Sequence, residues 1–135
     1  MEVAIICLIT LIWLPILLSW VTGYFRKVQL GVIDNNNPRA QCAQLQGVGA
    51  RLVAAQSNTW EAVTVYMASI LAVFLSGIDP DNIIVPCIIF VVCRIFYIAA
   101  YAANQGVLRS TIYLVGTVCC FYMLYMSANP ALYGG

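Results

Sequence analysis

The sequence predicts an all-α integral membrane protein: one domain, residues 1–135, forming a four-helix bundle. Composition is the first of three observations behind that. Hydrophobic residues make up 63% of the chain and charged residues 8%, a balance far from that of soluble globular domains. The second is length: four apolar stretches, roughly 3–22, 52–76, 83–103 and 107–128, each approach the ~20 residues that cross a bilayer as helix. The third is size, since 135 residues cannot bury four such helices in a water-soluble core.

Each element has its own signals. The first stretch carries Glu2 where a signal peptide would be basic, its apolar run is too long, and no small-x-small site closes it, so it reads as an anchor. Pro15 inside it predicts a kink. Gly31–Ala40 is a polar loop, with Pro38 in first-turn position and Asn36 or Asn37 as cap. The second helix is therefore expected to start near Pro38, with Gln41, Gln44 and Gln46 exposed in its early turns. Gly47 and Gly49 weaken it by roughly 1 kcal/mol each relative to alanine, unless another backbone packs closely there. Asp79-Pro80-Asp81-Asn82 is a turn, with Asp81 or Asn82 capping the third helix. Asn104-Gln105-Gly106 is a connection tight enough to make the third and fourth helices antiparallel neighbours. Residues 129–135 are read as a frayed tail.

Charge sets an expected orientation. Arg26, Lys27 and Arg39 lie between the first two spans and Arg109 between the last two, whereas the second connection carries Asp79 and Asp81 and no base. The positive-inside rule then puts the basic connections in the cytosol and both termini outside. A net charge of +1 offers no basic stripe for nucleic acid. The absence of histidine removes Ser-His-Asp and Cys-His catalysis and the usual zinc sites. Of six cysteines, Cys7, Cys87, Cys93, Cys119 and Cys120 fall in apolar helices and read as small hydrophobes; Cys42 has no activating neighbour in sequence.

Function is expected from the polar residues placed inside these helices, because ionisable groups there are costly to hold. Arg51, Asn58 and Glu61 share one face of the second span at i, i+7 and i+10. Glu61 lies about 24 Å from the outer helix end at Gly77 and so near the inner interface. On the third span Arg94 falls about 17 Å deep, with Tyr97 and Tyr101 descending from it toward the cytosol. Arg109 opens the fourth span at that level and Tyr113 is one turn deeper. As the only acidic residue within the spans, Glu61 is the expected counter-charge to Arg94, a pair fixing the second and third helices. The tryptophans at 13, 20 and 60 and the tyrosines at 122 and 125 read as interfacial anchors. Such a site suits a flexible anion at the cytosolic interface: arginines would hold carboxylates, Asn58 and Glu61 would read an amine or amide, and a further arginine would stabilise a thiolate. A lipophilic second substrate would enter from the membrane lipids.

The segments Asn37-Pro38-Arg39, Arg51-x2-Ala54-Ala55-Gln56-x-Asn58-x2-Glu61-Ala62, Cys93-Arg94-x2-Tyr97-x3-Tyr101 and Leu108-Arg109-Ser110-x2-Tyr113 resemble, in order and spacing, the MAPEG family of membrane-associated proteins in eicosanoid and glutathione metabolism. The Asn-Pro-Arg element is most similar to its bacterial branch, which implies a bacterial inner membrane. The resemblance implies a homotrimer with glutathione as co-substrate between subunits near the cytosolic face. It assigns glutathione contacts to Asn58, Glu61, Tyr97 and Tyr101, a carboxylate contact to Arg26 or Lys27, and thiolate stabilisation to Arg109 as the catalytic residue. Arg51, Arg94 and Tyr113 complete the candidate binding set. The implied activity is glutathione transfer to lipophilic electrophiles, or reduction of lipid hydroperoxides. Ala54 and Ser57 depart from the pattern where some relatives carry arginine, so a non-catalytic protein binding lipid in the inter-subunit groove is the alternative. A small proton-coupled exporter built on Glu61 is a third reading, disfavoured by the interfacial depth of Glu61 and by Arg94 within reach.

Overall fold

The structure, a computed structural model, describes residues 2–133. Helix α1 spans Glu2–Leu30, α2 Pro38–Cys42, α3 Gly47–Ser76, α4 Ile84–Ala102 and α5 Gly106–Ala128; short 3-10 turns precede α4 and follow α5. Among the described residues, α1, α3, α4 extended by its preceding turn, and α5 are the four helices long and apolar enough to cross a membrane. At 1.5 Å per residue, α1 and α3 are each about 45 Å long, longer than the ~30 Å hydrocarbon layer. Their surplus carries Arg26, Lys27 and the start of α3 beyond the apolar stretch.

Helices α3 and α4 form the centre of the bundle, with α1 packed mainly on α3, and α5 mainly on α4. The core follows from small and aromatic residues meeting at these seams. Tyr66 of α3 stacks on Phe90 of α4 with ring centroids 5.2 Å apart, and its hydroxyl donates to the Ala4 carbonyl of α1 at 3.1 Å. Met123 and Cys120 of α5 are fully buried against Cys87 and Phe90. Large apolar side chains such as Ile6, Leu75, Val85 and Leu114 stay exposed, as helices surrounded by lipid require.

Helix α1 runs from Glu2 to Leu30 with Pro15 inside it, whose carbonyl accepts from Gln56 Nε2 of α3 at 3.2 Å. Several other local expectations are corrected. The second span does not start at Pro38. Pro38 opens the separate one-turn α2, and α3 begins at Gly47, whose φ of +58° breaks the path between them. Asn37 makes no cap bond through its side chain; the Asp34 carboxylate accepts from the Asn36 and Asn37 amides and from Asn37 Nδ2, closing the loop instead. Gln41 is buried, not exposed: its Oε1 accepts from Arg26 Nε at 2.6 Å and from the Asp34 amide at 3.0 Å, and its Nε2 donates to the Val32 carbonyl at 2.6 Å. Gly49 is packed by side chains of α1, with room limited by Phe25 and Gln29. Asp79, not Asp81 or Asn82, caps the turn before α4, accepting from the Asp81 amide. Residues 130–132 of the tail form a 3-10 turn, and the Tyr133 carbonyl accepts from Asn82; the last two glycines lie outside the described residues. The tight turn at Asn104 (φ +60°) does bring α4 and α5 together as antiparallel neighbours.

Candidate functional site

Three helices contribute to one polar cup. Asn58 and Glu61 reach it from α3, Tyr97 and Tyr101 from α4, and Arg109, Ser110 and Tyr113 from α5. The cup has a volume of ≈ 270 Å³. Helical spacing explains the convergence: i, i+3 on α3 and i, i+4 on α4 and α5 each put their polar residues on one face. The short Ala103–Gln105 connection then sets Arg109 opposite Tyr101, its guanidinium carbon 4.5 Å from the ring centroid. Asn58 Nδ2 donates to the Tyr97 hydroxyl at 2.9 Å, joining α3 to α4. Tyr97 in turn meets Tyr101 edge-on at 5.5 Å and Tyr113 at 6.2 Å between centroids. Ser110, which the sequence did not single out as a site residue, lines the cup while its hydroxyl donates to Gly106.

A second recess of ≈ 260 Å³ adjoins the cup, sharing Asn58, Glu61 and Tyr113 and adding Arg94 and Thr117 as polar members. Each volume is just under the ~300 Å³ at which small-molecule sites usually begin. The recess ends against apolar groups, among them Val65, Phe90 and Phe121.

Arg94 corrects the expected ion pair. It is 1% exposed, and its Nε and Nη1 have no hydrogen-bond partner among the described residues. Its guanidinium carbon stands 4.8 Å from the Tyr97 ring centroid, 5.2 Å from Tyr113 and 5.3 Å from Phe90. The rings hold the cation on the inner side, whereas Glu61 lies on an exposed face of α3, so the two form no salt bridge. Its pairing with Arg94 therefore no longer weighs against Glu61 as a free membrane carboxylate. Ring faces attract a desolvated cation by about 1–2 kcal/mol each, so the three rings together offset part of the several kcal/mol that burying an ion costs.

Two predicted residues stand apart from the cup. Arg51 turns away from Asn58 and Glu61: its Nε and Nη2 donate to the Ala102 carbonyl at 3.2 and 3.1 Å, closing the C-terminal end of α4. Arg26 is buried, donating to Gln41 and, at 2.6 Å, to the Asp34 carbonyl. It lines a different recess, of ≈ 520 Å³, together with Arg39, Gln56, Ser57 and Trp60. Gln56 and Ser57 immediately precede Asn58 on α3, so the two recesses open on different sides of the same helix. Lys27 is occupied by the Gly31 carbonyl. The six cysteines are all free. Among the described residues no group of His, Cys, Asp and Glu is placed to hold a metal ion.

Four helices long and apolar enough to span a membrane, with a polar cup of Asn, Glu, Tyr and Arg where three of them meet, form the architecture of a multi-pass membrane protein. The MAPEG family model matches residues 3–129, nearly the whole chain, and the protein belongs to that family. A comparison with curated proteins finds no match.

Proposed function

We propose that the chain is a membrane-bound glutathione-dependent transferase or peroxidase acting on lipophilic electrophiles or lipid hydroperoxides. The observation that carries this reading is the cup itself, where Arg109, lying over the Tyr101 ring, lines one space with Asn58 and Glu61. A thiol seated there loses its proton more readily beside the guanidinium, and the sulfur anion then attacks the electrophile. Asn58, Glu61, Tyr97, Tyr101 and Tyr113 would hold the tripeptide so that the sulfur remains beside Arg109. Proximity and charge stabilisation are the rate-giving effects. The family includes glutathione transferases and peroxidases, which agrees with this chemistry.

The two-sided layout of α3 supports a homotrimer with the site between subunits. One protomer would supply the Asn58 cup, and a neighbour would supply its Arg26 and Arg39 recess for the ligand's far carboxylate. The positive-inside distribution of Arg26, Lys27, Arg39 and Arg109 supports a cytosolic position for that site. Arg109→Ala should lower turnover of a lipophilic electrophile by roughly 100-fold or more while leaving assembly intact. Wild-type turnover in that variant would remove Arg109 from the chemistry.

A second reading, a lipid-binding protein without catalysis, is favoured by one specific observation. Ala54 supplies no donor one turn before Asn58, and two nitrogens of the nearby Arg51 are engaged by the Ala102 carbonyl. In that case phospholipid, and not glutathione, co-purifies in the groove; saturable thiol binding excludes it.

A further inference from the structure

The connection between α1 and α3 is organised around one buried amide. Gln41 uses both lone pairs of its Oε1, accepting from Arg26 Nε at 2.6 Å and from the Asp34 amide at 3.0 Å. Its Nε2 donates to the Val32 carbonyl at 2.6 Å. The Asp34 carbonyl accepts from a second nitrogen of the same cation, Arg26 Nη2, at 2.6 Å. Two nitrogens of the guanidinium are thereby fixed. Nη1 is left without a protein partner among the described residues, on a side chain that lines the ≈ 520 Å³ recess together with Arg39. Both acceptors on Arg26 are neutral. The carboxylate of this loop, that of Asp34, is taken instead by the Asn36 and Asn37 amides. Arg26, only 9% exposed, is thus held firmly without losing its charge. A carboxylate at position 41 would accept the same two bonds, but it would cancel that charge and face the Val32 carbonyl with no donor. An alkyl group would leave buried donors without acceptors.

We infer that Gln41 is a positioning residue for anion binding: it orients the Arg26 guanidinium and preserves its full charge for a carboxylate-bearing ligand in the recess. The inference rests on the reading above, in which Arg26 and Arg39 meet the far carboxylate of glutathione. Gln41 is not among the residues lining the recess, so it acts through Arg26. Because the same amide ties Val32 and Asp34, the path of the loop and the direction of the cation are set together. A long side chain fixed in advance loses less freedom when the ligand arrives.

The test is calorimetric titration of the full-length protein in detergent with glutathione and with its diamide, in which both carboxylates are neutral. The wild type should prefer glutathione by at least about tenfold. Arg26→Gln should reduce that preference by about fivefold or more, and Gln41→Met by about threefold or more. Gln41→Met should have no further effect once Arg26→Gln is present, because its influence passes through the guanidinium. Gln41→Glu, which keeps both acceptor bonds, should lose the preference as fully as Arg26→Gln does. Affinity for the diamide should stay within about twofold throughout, which shows that each variant is folded. A preference lost in Arg26→Gln but intact in both Gln41 variants overturns the inference and leaves the Arg26 contact standing. An equal loss from Gln41→Met with and without Arg26 also overturns it. A preference that survives Arg26→Gln, or no glutathione binding to a folded wild-type oligomer, overturns the carboxylate contact and the inference together.

Discussion

Replacing Arg51 separates a structural role from a ligand role at a residue whose sequence spacing suggested the latter. Its guanidinium grips the Ala102 carbonyl through two nitrogens, at 3.2 and 3.1 Å. Ala102 is the last residue of α4, so this carbonyl lacks an acceptor role within its own helix and sits at the negative end of the helix dipole. Hydrogen bonds from charged groups contribute about 1.5–3 kcal/mol, and the partial exposure of Arg51 reduces this to about 1–2 kcal/mol. Arg51→Ala should therefore lower the thermal midpoint in detergent by roughly 3–8 °C, followed by circular dichroism. Arg51→Lys, a point charge in place of a fork, should fall between. Glutathione affinity should stay within about twofold of wild type in both variants. An unchanged midpoint together with a large loss of affinity would refute the reasoning and return Arg51 to the ligand.

Two further outcomes follow from the packing and the loop. A Cβ at Gly49 would stand 3.1 Å from Gln29 Nε2 and 3.2 Å from Phe25 Cβ; alanine should be near neutral, its helix preference of about 1 kcal/mol offsetting the crowding. Gly49→Leu should instead destabilise by about 1–3 kcal/mol, and a thermal midpoint equal to wild type would contradict that close approach of α1 and α3. Asp34 accepts from Asn37 and Asn36 and lies near the Arg26 charge, which holds its carboxyl below the usual aspartate range. A depressed folded-state value means its contribution is present above the unfolded aspartate pKa and lost as pH falls through the folded one. The Asn36 and Asn37 amide resonances should titrate with a midpoint below that of free aspartate; a midpoint at or above it would rule out the loop closure.

The four spans were legible because hydrophobic length is a direct physical requirement of the bilayer, and α4 and α5 start and stop within about a residue of the expected positions. Asn58, Glu61, Tyr97, Tyr101, Arg109 and Tyr113 were legible because helical periodicity fixes which residues share a face. What periodicity does not fix is where a long, flexible side chain ends. Arg51 lies seven residues before Asn58, but its reach brings it to the end of α4. Arg94 had one acidic candidate by elimination, and three aromatic rings took its place. Gln41 looked like a solvated helix residue; a one-turn helix ending at Cys42 instead folded it over Arg26. The break before α3 was signalled only by Gly47, a residue that also occurs within membrane helices.

The most direct test of the central claim is calorimetric titration of reduced glutathione into the detergent-solubilised protein, with Asn58→Ala and Arg109→Ala alongside. The account predicts saturable binding to the wild type and a loss of about tenfold in Asn58→Ala, which removes the α3 contribution to the cup and its bond to Tyr97. Arg109→Ala should still bind but should no longer show the ultraviolet signature of a bound thiolate. No saturation up to several millimolar, on an oligomer shown to be folded, would contradict the account and leave a MAPEG-family membrane protein whose groove holds lipid.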